Sequence, residues 1–338
     1  MSKTVLNTLL FAFSFLLSLT GAWLLRKFSR VTGFYDYPQF GLKEHKEAVP
    51  YAGTSVWVSF MAVLAGLRLF TSFETGTLHA LRGIVYGGTL VFILGIFDDL
   101  YDLHFLLKFL FQGIAAGIII AFDIKINIFP VPALNIAVSV FWLILVINAV
   151  NIIDIKDGLA SGVAALSAFG FFLVTLPTER FYVNFASIII GGALLGFWVL
   201  NKPPAKVFLG DGGSLFTGFI LAALSMGADY SSHHPVGLFA PLFILGIPLY
   251  DTLLVSYFRF REGKSIFKGS KDHYALRLQA AGLSDWQIDL VSYAVSALLS
   301  AAAFAVTVLP AGAAFFLAAV VLFTGLIGSA ALSAVNPE

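Results

Sequence analysis

The chain has 338 residues, 59% of them apolar, and its 20 Lys and Arg and 19 Asp and Glu give about half the charge density of an average soluble domain. A net charge of +1 excludes a polyelectrolyte surface for nucleic acid. The absence of cysteine excludes disulfides, thiolate metal sites and thiol catalysis together.

The apolar residues run in unbroken blocks close to the roughly 20 residues that cross a hydrocarbon layer, which predicts an all-α polytopic membrane protein. In chain order, about eleven transmembrane helices are expected, near 5–25, 52–70, 78–97, 105–122, 134–150, 159–176, 183–200, 213–228, 236–258, 287–308 and 311–332. The first block is too long for a signal-peptide core and runs into Arg26, Lys27 and Arg30, so it reads as a retained anchor. The connectors alternate between two sides. Residues 26–51, 98–104, 151–158, 201–212 and 259–286 share one side, with 71–77, 123–133, 177–182 and 229–235 on the other. Loops and span ends on the first side carry 15 of the Lys and Arg residues, from Arg26 to Arg277, against five on the second (Lys3, Arg68, Arg82, Lys125 and Arg180). By the positive-inside rule the first side is cytoplasmic, the N-terminus outside and the C-terminus inside. No repeat, low-complexity tract or separate soluble domain interrupts this single transmembrane domain. The segment 259–286, with Gly263, Gly269 and Gly282, predicts a structured loop with a short helix.

Polar chemistry gathers on the first side. Asp98, Asp99, Asp102, Asp154, Asp157, Asp211, Asp251 and Asp272 all fall there or at its membrane boundary, where a carboxylate needs water, a cation or a partner. Asp98 and Asp99 end one span; adjacent aspartates on a helix point apart, so one can hold a metal while the other handles a proton. Mg²⁺ favours one or two carboxylates completed by substrate phosphate oxygens. Lys108 opens the next span, either as an interface anchor or as a phosphate clamp. Asn148, Asn151, Asp154 and Asp157 recur every third residue, a spacing that drifts about 60° per step on an α-helix and predicts a polar sweep facing a cavity. Gly158 then permits a break. Lys206 to Ser214, with Gly210, Asp211, Gly212 and Gly213, predicts a glycine-rich turn whose amides and following helix N-terminus suit a phosphate, with Asp211 a natural cation ligand. The last basic loop, including Arg259, Arg261, Lys264, Lys268, Lys271, His273 and Arg277, either meets anionic lipid or holds an anionic nucleotide sugar.

Through these motifs the chain resembles the polyprenyl-phosphate N-acetylhexosamine-1-phosphate transferases of the WecA/MraY type. The likeness runs from about Asp36 to Ser284 and takes in Asp36–Pro50, Asp98-Asp99 with Lys108 and Gln112, Asn148–Gly158, Lys206–Ser214, Pro248-Leu-Tyr-Asp251 and Arg259-x-Arg-x-Gly-Lys-Ser265. The resemblance implies transfer of a sugar-1-phosphate from a UDP-sugar to a polyprenyl phosphate, dependent on Mg²⁺ with Mn²⁺ as a substitute, giving a polyprenyl-diphosphate-sugar and UMP. It implies a multi-pass protein of the cytoplasmic membrane with its active site facing the cytosol, at the start of cell-envelope polysaccharide synthesis, and is compatible with a homodimer. It assigns Asp211 as metal ligand, Asp98 and Asp99 as catalytic or metal-proximal, and Asn151, Asp154 and Asp157 to the nucleotide pocket. Phe208 falls where the family places an aromatic against uracil, and Lys43 and His45 match a basic motif near the substrates. Direct attack by the lipid phosphate, with Asp98 as base, is favoured over a covalent aspartyl intermediate.

The chain departs from the family pattern at three places. Asp154-Ile155-Lys156-Asp157-Gly158 lacks the first of two glycines, Gly53-Thr54 replaces a glycine pair, and His273-Tyr-Ala-Leu276 keeps only the first histidine of a His-x-His-His motif. The last departure favours a UDP-N-acetylhexosamine donor over UDP-muramoyl-pentapeptide. A transporter of an anionic or lipid-linked solute is the rival from another class, but its charges would gather near the bilayer midplane, often with repeats.

Overall fold

The computed structural model describes residues 2–32, 35–36, 49–70, 75–178, 180–231, 234–263 and 272–335. All the expected spans fall on helix. They are α1 (Lys3–Thr32), α2 (Thr54–Phe70), α3 (Thr75–Tyr101), α4 (Phe105–Ala121), α5 (Pro132–Ile152), α6 (Leu159–Thr175), α7 (Phe181–Asn201) and α8 (Gly210–Gly227), then α9 (Ala240–Ile244), α10 (Gly246–Arg261), α12 (Asp285–Val308) and α13 (Ala311–Ser333). A short α11 (Tyr274–Ala280) stands in the last polar segment, and the strands described form a two-residue antiparallel ribbon, β1 (Tyr35–Asp36) with β2 (Val49–Pro50). By length and apolarity, six helices can each cross a bilayer alone: α1, α3, α5, α7, α12 and α13. The chain is therefore a multi-pass membrane protein.

The expected straight span at 236–258 is corrected by the structure. A 3-10 turn (Pro235–Phe239) and α9 meet α10 at a bend of 76°, and counting this broken pair as one raises the candidate spans to seven. Proline is the physical cause. Pro248 has no N–H to reach the Ile244 carbonyl four residues back, so the helical ladder cannot run through. The orphaned Ile244 carbonyl accepts instead from Ser167 Oγ of α6, at 2.9 Å, while Leu249 N–H resumes the ladder on Leu245.

The centre of the bundle is α8, buried at every residue from Gly212 to Gly227. Apolar side chains gain little by leaving lipid for protein, so helices associate by close approach across small residues. Gly218 gives α5 that approach: a β-carbon there would lie 2.7 Å from Ile147 Cα. Gly87 and Gly88 of α3 likewise receive the rings of Phe219 and Phe216. Around this centre α7 packs between α1 and α6, and α12 lies along α6. In contrast, α13 fully buries only Ala314 and Ala318, half-buries Leu317, Val321 and Leu332 against the core, and leaves most of its remaining surface exposed.

Ser167→Ala leaves the Ile244 carbonyl without its partner in a buried site, which costs about 1–3 kcal/mol. Thermal unfolding in detergent is expected at a lower temperature than for the unsubstituted protein.

Candidate active site

Four helix ends converge on one group of polar residues. The C-terminal end of α3 supplies Asp98 and Asp99, the first turn of α4 supplies Lys108, the end of α5 supplies Asn151, and the first turn of α8 supplies Asp211 and Ser214. Asp102, exposed at φ 48°, lets the chain turn sharply from α3 into α4, and Lys108 thereby folds back onto Asp98. The ion pair Lys108 Nζ–Asp98 Oδ2 measures 2.5 Å, with Asp98 only 5% exposed and its other oxygen accepting from Leu103 N–H at 2.9 Å.

Asp99 reaches across to α8 and accepts from the amides of Asp211 (2.8 Å) and Gly212 (3.0 Å). The glycine-rich turn expected to cradle a phosphate thus already holds an anion at its first amides, and that anion is a carboxylate of this chain. The physics is the expected one, since free N–H groups and the helix dipole favour negative charge, but the occupant is a correction. Two close approaches make it possible. A β-carbon at Gly95 would sit 2.3 Å from the Asp211 carbonyl oxygen, and one at Gly210, at φ 69°, would sit 2.9 Å from Asp99 Oδ2. Asn151 Nδ2 completes the junction by donating to Asp211 Oδ1 at 2.6 Å and to Ser214 Oγ at 2.9 Å. Behind it, Asn148 pairs with the fully buried Gln112 of α4, its Nδ2 donating to Gln112 Oε1 at 2.8 Å.

The carboxylates of Asp98 and Asp211 lie within hydrogen-bonding range of one another. Two ionised carboxylates repel at that separation and need a shared proton or a cation between them. Among the described residues no three His, Asp or Glu side chains form a ready-made metal cage. The donor set therefore fits an ion completed by substrate oxygens, the habit of Mg²⁺, better than one caged by protein alone.

The expected polar sweep on one helix is only half present. Helix α5 stops at Ile152, so Asn148 and Asn151 lie on it, while Asp154 and Asp157 occupy the turn 153–158 that follows. Gly158, at φ 77°, ends that turn and starts α6. Asp157 Oδ2 accepts from Ala205 N–H at 2.8 Å, which ties the turn to the segment leading into Phe208. Half-buried Phe208 is itself bridged to Tyr51, its N–H donating to the Pro50 carbonyl and its own carbonyl accepting from Ala52.

The structure commits two other expected binding residues elsewhere. His273 Nδ1 is 2.7 Å from Asp251 Oδ2, a fully buried carboxylate that also accepts from Tyr274 N–H, so this pair caps α11. Arg277, 3% exposed, lies over the Phe258 ring, pairs with Asp272 at 2.8 Å and donates to the Leu332 and Val335 carbonyls at the end of α13. It clamps α11 to the C-terminal helix. Lys43 and His45 lie outside the described residues.

Sequence reasoning passed over Asp289 and Tyr293, on α12, which press on the Gly158 turn from behind. An acid inside an expected span was the available signal, since an intramembrane ionisable group is functional by default.

Residues 81–229 match the family described as Glycosyl transferase family 4. The chain is 32% identical over 280 residues to a probable undecaprenyl-phosphate N-acetylglucosaminyl 1-phosphate transferase of Bacillus subtilis, covering 80% of this chain and 76% of the relative. It is 31% identical over 311 residues to a phospho-N-acetylmuramoyl-pentapeptide-transferase of Streptococcus uberis, covering 79% and 90%. A decaprenyl-phosphate N-acetylglucosaminephosphotransferase of Mycobacterium tuberculosis is 28% identical over 275 residues, covering 68% of each chain.

Gly95→Ala drives a methyl into the α8 backbone and should destabilise the protein by about 1–3 kcal/mol. Gly117→Ala, on α4 where nothing lies within 4 Å, should be neutral or slightly stabilising. Paired thermal melts of the two variants in one detergent check the contrast.

Proposed function

The chain belongs to glycosyl transferase family 4, the WecA/MraY type of phosphotransferase acting on a UDP-sugar and polyprenyl phosphate, and on that premise we propose that it moves N-acetylglucosamine-1-phosphate onto undecaprenyl phosphate. The products are undecaprenyl-diphosphate-N-acetylglucosamine and UMP. The observation that carries this reading is the convergence of Asp98, Asp99, Asp211, Lys108 and Asn151 from four helix ends onto one point. The N-acetylglucosaminyl relatives and the incomplete histidine motif at His273 favour this donor over the muramoyl-pentapeptide one.

A phosphate oxygen of the lipid attacks the β-phosphorus of the donor, the bond from that phosphorus to the bridging oxygen breaks, and UMP leaves. Asp98 takes the proton of the attacking phosphate. In the structure its carboxylate is paired with Lys108, which stands beside it as a cation for the incoming phosphate. Asn151 orients Asp211, and α8 amides orient Asp99. A Mg²⁺ ion held by Asp211 and Asp99 would neutralise the diphosphate and stabilise the charge that develops on it, with Mn²⁺ able to substitute. Asp154 and Asp157 receive the nucleotide on the turn 153–158, and Phe208 offers its ring to uracil.

One substrate is water-soluble and the other is anchored in lipid, so the cleft belongs at an interface. We place that interface at the cytoplasmic face of the cell membrane, with eleven spans, the N-terminus outside and the C-terminus inside. Support comes from the 15-to-five distribution of Lys and Arg.

Purified protein with undecaprenyl phosphate and UDP-N-acetylglucosamine is expected to release UMP, and chelation of divalent metal should stop release until Mg²⁺ is restored. Asp211→Asn should lower the rate by about 10²–10³-fold. A chain that binds both substrates yet frees no UMP from any UDP-sugar would refute the assignment. Orientation has its own check, because the chain has no cysteine of its own. In intact cells a membrane-impermeant maleimide should label an Arg180→Cys variant and spare a Glu262→Cys variant; the reverse pattern would invert the topology.

A further inference from the structure

Behind the site, α12 grips the turn 153–158 at two points. Lys156 Nζ pairs with Asp285 Oδ1 at 2.7 Å, its side chain only 7% exposed. About two turns further along, Tyr293 Oη donates to the Gly158 carbonyl at 2.7 Å and is itself held by Trp198 Nε1 of α7 at 2.8 Å. Asp289 Oδ2 lies 3.2 Å from the same hydroxyl, and a β-carbon on Gly158 would meet both that oxygen (2.9 Å) and the Tyr293 oxygen (3.1 Å). The Tyr293 ring is seated against Gly162 on the first turns of α6, where any side chain would collide with it. Turn, ring and carboxylate are thus in direct contact, with Gly158 as the pivot between the turn and α6.

Asp289 is the unexpected member. It is fully buried, and its Oδ1 has no hydrogen-bond partner among the described residues. The single hydroxyl proton of Tyr293 serves the nearer Gly158 carbonyl, so Asp289 Oδ2 receives a weak share at most. A buried carboxylate so poorly compensated stabilises the fold less than an apolar side chain of the same shape would. Its placement against the pivot of the turn assigned to the donor points to a role other than stability.

We propose that Tyr293, Trp198 and Asp289 are positioning residues that set the turn 153–158, and through it Asp154 and Asp157, for the nucleotide-sugar and not for the lipid acceptor. The inference rests on the reading above that this turn receives the donor. The three side chains act only through the turn: Trp198 fixes the Tyr293 hydroxyl, the hydroxyl fixes the Gly158 carbonyl, and Asp289 walls the pivot beside that hydroxyl. Lys156 and Asp285 anchor the middle of the turn to the same helix, so α12 determines where both aspartates stand.

The test separates the two substrates. Tyr293→Phe keeps the ring on Gly162 and removes the hydroxyl; the KM for UDP-N-acetylglucosamine is expected to rise about tenfold, the worth of one hydrogen bond, with the KM for undecaprenyl phosphate within twofold of the unsubstituted enzyme. Trp198→Phe removes the donor that orients the hydroxyl and should shift the same constant in the same direction, by less. A role in packing alone would lower the melting temperature and the active fraction while leaving both KM values unchanged, and that result overturns the proposal. Should Tyr293→Phe fail to fold, Trp198→Phe decides by the same criterion. An unsubstituted enzyme that turns over normally while both variants match its donor KM refutes only this inference. An unsubstituted enzyme silent with every UDP-sugar refutes the functional reading and this inference with it.

Discussion

Carboxylates at the ends of apolar helices, close enough to repel one another, are the constraint from which the rest of this structure follows. Asp98, Asp99 and Asp211 share one corner of the bundle, and each is offset by a donor of a different kind. Lys108 supplies a full positive charge to Asp98, the amides at the start of α8 supply partial charge to Asp99, and the Asn151 carboxamide supplies a neutral hydrogen bond to Asp211. One ammonium against three acids leaves the corner net negative. In the proposed reaction a divalent ion and two anionic substrates would enter together, and the excess negative charge of the corner would favour the ion.

Such a corner can be assembled only if backbones come closer than side chains normally allow. Gly95 brings α3 against the first turn of α8, Gly218 brings α5 against its middle, and Gly53 brings the start of α2 to the Leu209 carbonyl, 2.0 Å from where its β-carbon would be. These are the small-residue contacts by which helices associate in lipid, used here at the point where the three carboxylates meet. Binding geometry and bundle stability are therefore the same set of contacts. A substitution that loosens α3 from α8 moves Asp98 and Asp99 away from Asp211.

The helices themselves were legible because each is a block of apolar residues ended by charge or glycine, a one-dimensional pattern. The corner was legible in composition, since its acids and amides cluster in short connectors on one side. What the sequence does not announce is how each donor is committed. Arg277 and His273 read as ligands by charge and position, yet burial turns both toward partners within the protein, the C-terminal end of α13 and Asp251. Asp154 and Asp157 continue a three-residue spacing past Ile152, but the chain has already left the helix there, and only a backbone shows that. Pro248 was in plain view as a break in the ninth apolar block; that its orphaned carbonyl would be met by Ser167, 77 residues upstream, is a tertiary fact.

The occupation of the α8 N-terminus has a consequence for how the donor is recognised. Free amides at a helix start bind phosphate well, but here those of Asp211 and Gly212 are spent on Asp99, so the backbone has less left for a diphosphate at that point. In the proposed reaction, recognition of the diphosphate would then rest on charge, through Lys108 and a divalent cation, and charge does not distinguish one nucleotide sugar from another. On the proposed reading, discrimination among donors would fall to the turn 153–158 and the strand-like segment at Phe208. Both are held by the Asp157–Ala205 contact and, for the turn, by α12. The proposed reaction would thereby divide neutralisation and selection between two neighbouring parts of the structure, the carboxylate corner and the braced turn beside it.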